Sequence, residues 1–174
     1  MKKLSYFILS VLMISLVSCS SDDNGDSGQD GSILGLWNTS EIILEGTFQE
    51  DGITVSFEGT ADEMLGNNIT FREDNTFIAN SAPFMMEVNF LVMGVPAYTQ
   101  TVEMSSLMTE EGTWRREGNK LFISEAGVEE EQEFTIEILT NSTLKMFADQ
   151  ESIKDFYDDI PENAVFEVTT VHTR

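Results

Sequence analysis

Apolar and polar positions alternate along most of the chain. In Glu133-Phe134-Thr135-Ile136-Glu137-Ile138, residues Phe134, Ile136 and Ile138 fall on one side of an extended backbone. Leu144, Met146 and Ala148 repeat the pattern across a turn at Asn141-Ser142. Ile53, Val55 and Phe57 alternate in the same way, and Ile69 and Phe71 lead through Glu73-Asp74-Asn75 to Phe77. Trp114 precedes a Gly118-Asn119 turn, with Leu121 and Ile123 just beyond it. Successive side chains of a strand point to opposite faces, so a period of two marks a strand with one buried face. Turn residues at these short intervals predict antiparallel neighbours. About ten such strands at this spacing predict an all-β fold, a closed barrel or a sandwich.

Two segments depart from the alternation. Over residues 151–160, Ile153, Phe156, Tyr157 and Ile160 fall at helical spacing, and Pro161 ends the run. This predicts one short helix before a last strand over Ala164 to Thr173. Residues 85–108 gather Met85, Met86, Met93, Met104 and Met108 among valine, phenylalanine and leucine. Around Phe90-Leu91-Val92-Met93 both faces are apolar, which fits a strand covered on both sides, a lid over a cavity, or an exposed apolar edge. Methionine is adaptable core packing by default, and it also suits a promiscuous pocket. Thioethers bind Cu(I), but no His or Cys stands within this segment to help.

The N-terminus has a different logic. Lys2 and Lys3 precede an apolar stretch from Leu4 to Val17, 14 residues long. Spanning the hydrocarbon core takes about 20 residues, so the stretch reads as a secretory signal rather than a permanent span. It ends in Leu16-Val17-Ser18-Cys19, and Cys19 is the one cysteine of the chain. This resembles a bacterial lipoprotein signal, in which cleavage before the cysteine is coupled to lipid attachment on it. The resemblance implies signal peptide 1–18, acyl chains such as palmitate on Cys19, and membrane anchoring through that lipid. Three acyl chains exceed the two hydrophobic signals that stable anchoring needs. A lone cysteine forms no intrachain disulfide, so the domain depends on its core.

Residues 20–32 contain no apolar side chain. Such a segment cannot offset its ordering entropy, so 19–32 is expected to be a flexible acidic tether. Its acidic residues behind the cysteine resemble export tags that carry lipoproteins to the cell surface in some Gram-negative bacteria; plain linker solubility explains them equally. Asp22-Asp23-Asn24-Gly25-Asp26 starts like a calcium loop, but the closing glutamate position falls on Ile33.

Charge then narrows the partners. The whole chain carries a net charge of −22, and without residues 1–18 it has 31 acids against 7 bases, or −24. Residues 33–174 keep 27 of those acids and all 7 bases, or −20, in a length that suits one domain. Nucleic acid is excluded as a partner, because a phosphate backbone requires Lys and Arg. An anionic membrane surface is disfavoured for the domain itself.

The order of motifs in residues 33–174 resembles the lipocalin-like domains of Gram-negative lipoproteins. Gly35-Leu36-Trp37 opens the series, and Ile69-Thr70-Phe71-Arg72-Glu73-Asp74-Asn75-Thr76-Phe77 gives the first hairpin. Glu111-Gly112-Thr113-Trp114, Asn119-Lys120-Leu121-Phe122-Ile123, Phe134-Thr135-Ile136 and Ser142-Thr143-Leu144 follow. The resemblance implies an antiparallel up-and-down β-barrel in which Trp37 plugs one end. An arginine covers that tryptophan in lipocalins, and Arg174 is the candidate here. A ligand cavity in such a barrel would be lined by Trp37, Phe71, Met86, Val88, Phe90, Phe134 and Ile136. Trp114 reads as a core aromatic. A small barrel can equally be filled by its own side chains.

Catalytic signatures are missing from the sequence. His172 is the only histidine, so no His/Cys cluster offers a zinc site. There is no Gly-x-Ser-x-Gly element and no phosphate-cradling glycine loop. Carboxylates are so numerous that any paired set arises by chance, and Glu129-Glu130-Glu131 reads as a solvated turn. The chain is therefore not read as an enzyme, and no cofactor or metal is implied. The expectation is an outer-membrane lipoprotein, surface exposed if the acidic tag acts, whose barrel binds a small apolar molecule. The alternative is a packed barrel acting through its surface on a protein partner that the sequence does not identify.

Overall fold

The computed structural model describes residues 31–62, 64–104, 111–127, 130–153 and 163–174. Cys19, the signal and the tether up to residue 30 lie outside the described residues, as do residues 154–162. The strands are β1 (Gly35–Glu50), β2 (Ile53–Ala61), β3 (Asn68–Phe71), β4 (Thr76–Asn80), β5 (Phe84–Val92) and β6 (Val95–Met104). Then come β7 (Glu111–Glu117), β8 (Lys120–Glu125), β9 (Glu131–Leu139), β10 (Thr143–Asp149), helix α1 (Gln150–Ile153) and β11 (Val165–Thr173). α1 overlaps the start of the helix expected over 151–160; residues 154–160 lie outside the described residues.

All strand pairs are antiparallel, and β1, β3, β4, β7, β8, β9, β10 and β11 close into an eight-stranded barrel. β1 makes the closure because its two halves have different partners on one edge. Gly35 to Asn38 pair with β3, whereas Ile42 to Glu50 pair with β2. β11 runs along the other edge from Asn38 to Thr47. β5 pairs with β2 and β4 with β3, so the segments 53–71 and 76–92 each follow one path broken in the middle. The upper half of β1 therefore continues sideways into β2, β5 and β6, a wall that rises from the barrel. The end that holds Gly35, Phe71 and Thr143 is the plugged end; the other is the wall end.

Turn chemistry sets the hairpins. Asp51 and Gly52 both have positive φ, 51° and 79°, the geometry that matches strand twist in a two-residue hairpin. Met93 and Gly94 repeat it at 54° and 77° at the tip of the β5–β6 hairpin. A bulky methionine in the left-handed region is uncommon, and Met93 is 79% exposed there. The methionine-rich segment is thus a hairpin through Met104, with residues 105–110 outside the described part.

The core lies inside the barrel. Trp37, Ile69, Phe71, Phe77, Leu121, Ile136, Leu144 and Met146 are all inaccessible to solvent or nearly so. Burying one such side chain contributes roughly 1.5–3 kcal/mol, so these positions dominate the domain's stability. One expectation is corrected. Ile138 does not share a face with Phe134 and Ile136, because an extra residue, Glu137, bulges from β9 between the pairs Ile136–Met146 and Ile138–Lys145. The slip turns Ile138 outward and brings Leu139 into the core.

Candidate functional site

At the plugged end, the Trp37 indole is fully buried and its N–H donates to the Ile33 carbonyl at 2.7 Å. The Arg174 guanidinium lies 4.0 Å from the centre of that indole. It also donates to the carbonyls of Leu34 (2.7 Å), Ser32 (2.9 Å) and Asn141 (2.8 Å). One side chain thus ties the segment entering β1, the β9–β10 turn and the end of β11 across the base. Just inside, His172 is 1% exposed, with Nδ1 3.2 Å from the Thr39 hydroxyl and Nε2 3.0 Å from the Thr170 hydroxyl. Burial lowers its pKa from 6.5 to about 4, so the imidazole is neutral at pH 7. Among the described residues no carboxylate is a hydrogen-bond partner of the ring, and desolvation is the cause of the shift. This is a buried histidine whose two ring nitrogens each have a threonine hydroxyl as partner.

The wall has a different character. Its inward face is built from Phe48 on β1, Val55, Phe57, Gly59 and Ala61 on β2, and Phe84, Met86, Val88 and Phe90 on β5. Across the register Phe57 faces Phe90, and Phe90 faces Tyr98 on β6. The rings form a continuous row: Phe48–Phe57 at 6.3 Å, Phe57–Phe90 at 6.4 Å, and Phe90–Tyr98 stacked at 4.6 Å. Two glycines allow this packing. A Cβ on Gly46 would come within 2.4 Å of the Phe57 ring and 2.7 Å of the Val165 carbonyl oxygen. A Cβ on Gly59 would come within 2.7 Å of the Met86 sulfur. The row also grades in exposure, from buried Phe57 through half-buried Phe48 and Phe90 to Tyr98 at 56%. An apolar surface that is buried on the barrel side and open at its far edge suits apolar molecules. Its polar groups on β6 are the Tyr98 hydroxyl and Gln100, the latter opposite Val88.

The residues singled out from the sequence divide into two groups. Trp37, Phe71, Phe134 and Ile136 belong to the filled barrel interior, where Phe71 packs edge-on against Trp114 at 5.4 Å. Met86, Val88 and Phe90 share the inward face of β5, with Met86 and Val88 buried and Phe90 partly open. Sequence reasoning did not single out Phe48 or Tyr98. Phe48 keeps the inward parity of Ile42 and Leu44, a signal hidden by the bulge at Ser40, where the register slips between Thr39 and Glu41. Tyr98 has a similar reason: the bulge at Ala97 lets Phe90 pair with Tyr98 while Leu91 pairs with Pro96.

Two surface depressions are also present. One of about 570 Å³ lies beside Leu34, Phe71 and Asp74 at the plugged end. One of about 620 Å³ lies over β1 and is bordered by Glu45, Glu58, Asp149, Glu151 and Glu167. Among the described residues, no group of three or more His, Cys, Asp or Glu is placed to hold a metal ion. Asn67, buried where the β2–β3 path breaks, accepts from the Ala82 N–H at 3.0 Å, and its Nδ2 has no hydrogen-bond partner among the described residues. No protein-family model, curated protein or solved structure matches this chain.

Proposed function

We propose that this chain is an envelope lipoprotein, anchored to the outer membrane through lipid on Cys19, whose barrel domain binds a small apolar ligand against the wall. The observation that supports the ligand reading is the row Phe48–Phe57–Phe90–Tyr98, which passes from the core to solvent on one face. Ligand sites are mostly apolar surfaces with a few placed polar groups, and this face has that composition. The ligand contacts are assigned to Phe90, Tyr98 and Phe48, with Met86 and Val88 forming the floor. The filled interior favours a second reading, a packed barrel that acts through its surface.

Native mass spectrometry of residues 31–174 after incubation with a bacterial envelope extract separates the two. The binding reading expects a stoichiometric apolar adduct that is lost in Phe90→Ala and Tyr98→Ala. An unliganded mass across extracts, with the domain folded, would overturn it in favour of the packed barrel. Anchoring is tested separately by metabolic labelling with a fatty acid: Cys19→Ser should abolish incorporation.

A further inference from the structure

The wall ends in an unfinished edge. β6 pairs with β5 on one side, and among the described residues no strand lies on its other side. An edge strand presents a row of free N–H and C=O groups, a template for another strand. Natural edges are usually blunted by charge, proline or a bulge. Here Pro96 and the bulge at Ala97 protect the hairpin end, and Glu103 is the single charge at the other end of the strand. Beyond them runs Tyr98-Thr99-Gln100-Thr101-Val102, all uncharged and rich in strand-forming residues. In so acidic a chain, residues 88–102 between Glu87 and Glu103 carry no charge at all. Exposed apolar side chains gather on the same hairpin: Met85, Met93, Val95 and Tyr98.

We propose that this edge docks the same edge of a second copy, so that two walls join into one sheet across a two-fold axis. The sequence of the strand argues for a copy rather than a foreign strand, because it is self-complementary when read antiparallel. With Gln100 on the axis, Tyr98 faces Val102 and Thr99 faces Thr101. Aromatic with β-branched, and threonine with threonine, are favourable cross-strand pairs. Glu103 then faces Ala97, so no acid meets an acid along the seam. The remaining carboxylates near the wall, such as Glu45, Glu58 and Glu87, alternate with its inward side chains and stand away from this edge. Their mutual repulsion across the axis is screened beyond a Debye length of about 8 Å at physiological salt. An isologous contact of this kind closes as a dimer and leaves no further free edge on β6.

The test uses the full chain in mild detergent, with mass measured by light scattering during size-exclusion chromatography. A dimer is expected, and Gln100→Lys, which sets two ammonium groups facing each other on the axis, should return it to monomer with unchanged circular dichroism. The register is read with Cys19→Ser chains carrying one cysteine. Under mild oxidation Gln100→Cys should cross-link to its own copy, while Thr99→Cys and Lys145→Cys should not. A wild-type monomer at all concentrations, a dimer indifferent to Gln100→Lys, or cross-linking at Lys145→Cys instead of Gln100→Cys would each overturn the proposal. None of these outcomes depends on whether the wall binds a ligand.

Discussion

Single residues decide how closely this barrel packs and how it responds to acid. His172 illustrates the second point. Its imidazole is buried between two threonine hydroxyls and its pKa falls to about 4, against 6.5 in the unfolded chain. The unfolded state therefore takes up the proton first as pH falls. The stability contributed by the neutral form is complete above pH 6.5 and is lost between there and pH 4. The full loss is roughly 3 kcal/mol. Urea titrations at pH 7 and pH 5 should show this decline in the native chain. In His172→Asn the part that begins between pH 6.5 and 5, above the range of ordinary carboxylates, should vanish. Gly46 illustrates packing. Alanine there meets backbone and a ring held by neighbours, whereas at Gly59 it meets a methionine sulfur that can swing aside. Gly46→Ala should cost about 2–4 kcal/mol and Gly59→Ala about 1–2 kcal/mol, since forced overpacking scales with how little the surroundings yield. Equal losses by chemical denaturation would sink this ranking.

Among the elements, the joint between β4 and β7 is the short one. It has three register pairs, Thr76–Thr113, Phe77–Gly112 and Ile78–Glu111. Trp114 reinforces it: the backbone N–H donates to the Asn75 carbonyl at 2.8 Å and the indole N–H to the Thr76 carbonyl at 3.1 Å. The same ring packs on Phe71, so one residue clasps the β3–β4 turn to β7. A barrel opens where its ladder is shortest, so amides of β4 and β7 should exchange with solvent before those of β10 and β11. Trp114→Phe keeps the ring and removes the indole donor. It should speed exchange in β4 and β7 several-fold and leave the β10–β11 pair unchanged; a uniform acceleration would show instead that the joint opens only with the whole fold. These elements also show what sequence reveals. β9, β10, β3 and β8 announce themselves by alternation, and the Gly35-Leu36-Trp37 opening and the short helix before the last strand are visible too. Bulges are not: Glu137, Ser40 and Ala97 each add a residue that reverses parity downstream, so simple alternation puts Ile138 inward and does not single out Phe48 or Tyr98. The division of β1 between two partners is a long-range pairing, and no local pattern encodes it. Arg174 lies more than a hundred residues from Trp37 in sequence, so no local pattern pairs them; the resemblance to lipocalin-like domains names it, and closure of the barrel brings it over the ring.

At the scale of the molecule, charge is distributed as unevenly as shape. The described cations are Arg72, Arg115, Arg116, Lys120, Lys145 and Arg174, and all lie toward the plugged end. There Arg115 bridges Glu117 and Glu131, Lys120 reaches Glu133 at 2.6 Å, and Lys145 reaches Glu137 at 2.7 Å. The wall end has no such compensation among the described residues. The register sets Glu58 opposite Glu45, Glu45 opposite Glu167, and Glu167 opposite Asp149, a row of carboxylates across four strands. Like charges directly opposite on neighbouring strands are destabilising, and each exposed pair costs a fraction of a kcal/mol. Glu45 is the leverage point because it faces an acid on both sides. Replacing Glu45 with lysine converts two repulsive pairs into two attractive ones. The variant should melt a few degrees above the native chain at low ionic strength, the shift expected for about 1 kcal/mol in a domain of this size. Raising salt should lift the native chain toward the variant, since the Debye length falls from about 30 Å at 0.01 M to about 3 Å at 1 M. The gap between the two melting curves should therefore close as salt rises. A gap that persists at 1 M salt would mean that lysine acts through packing on the sheet, and that the acidic row costs the fold nothing.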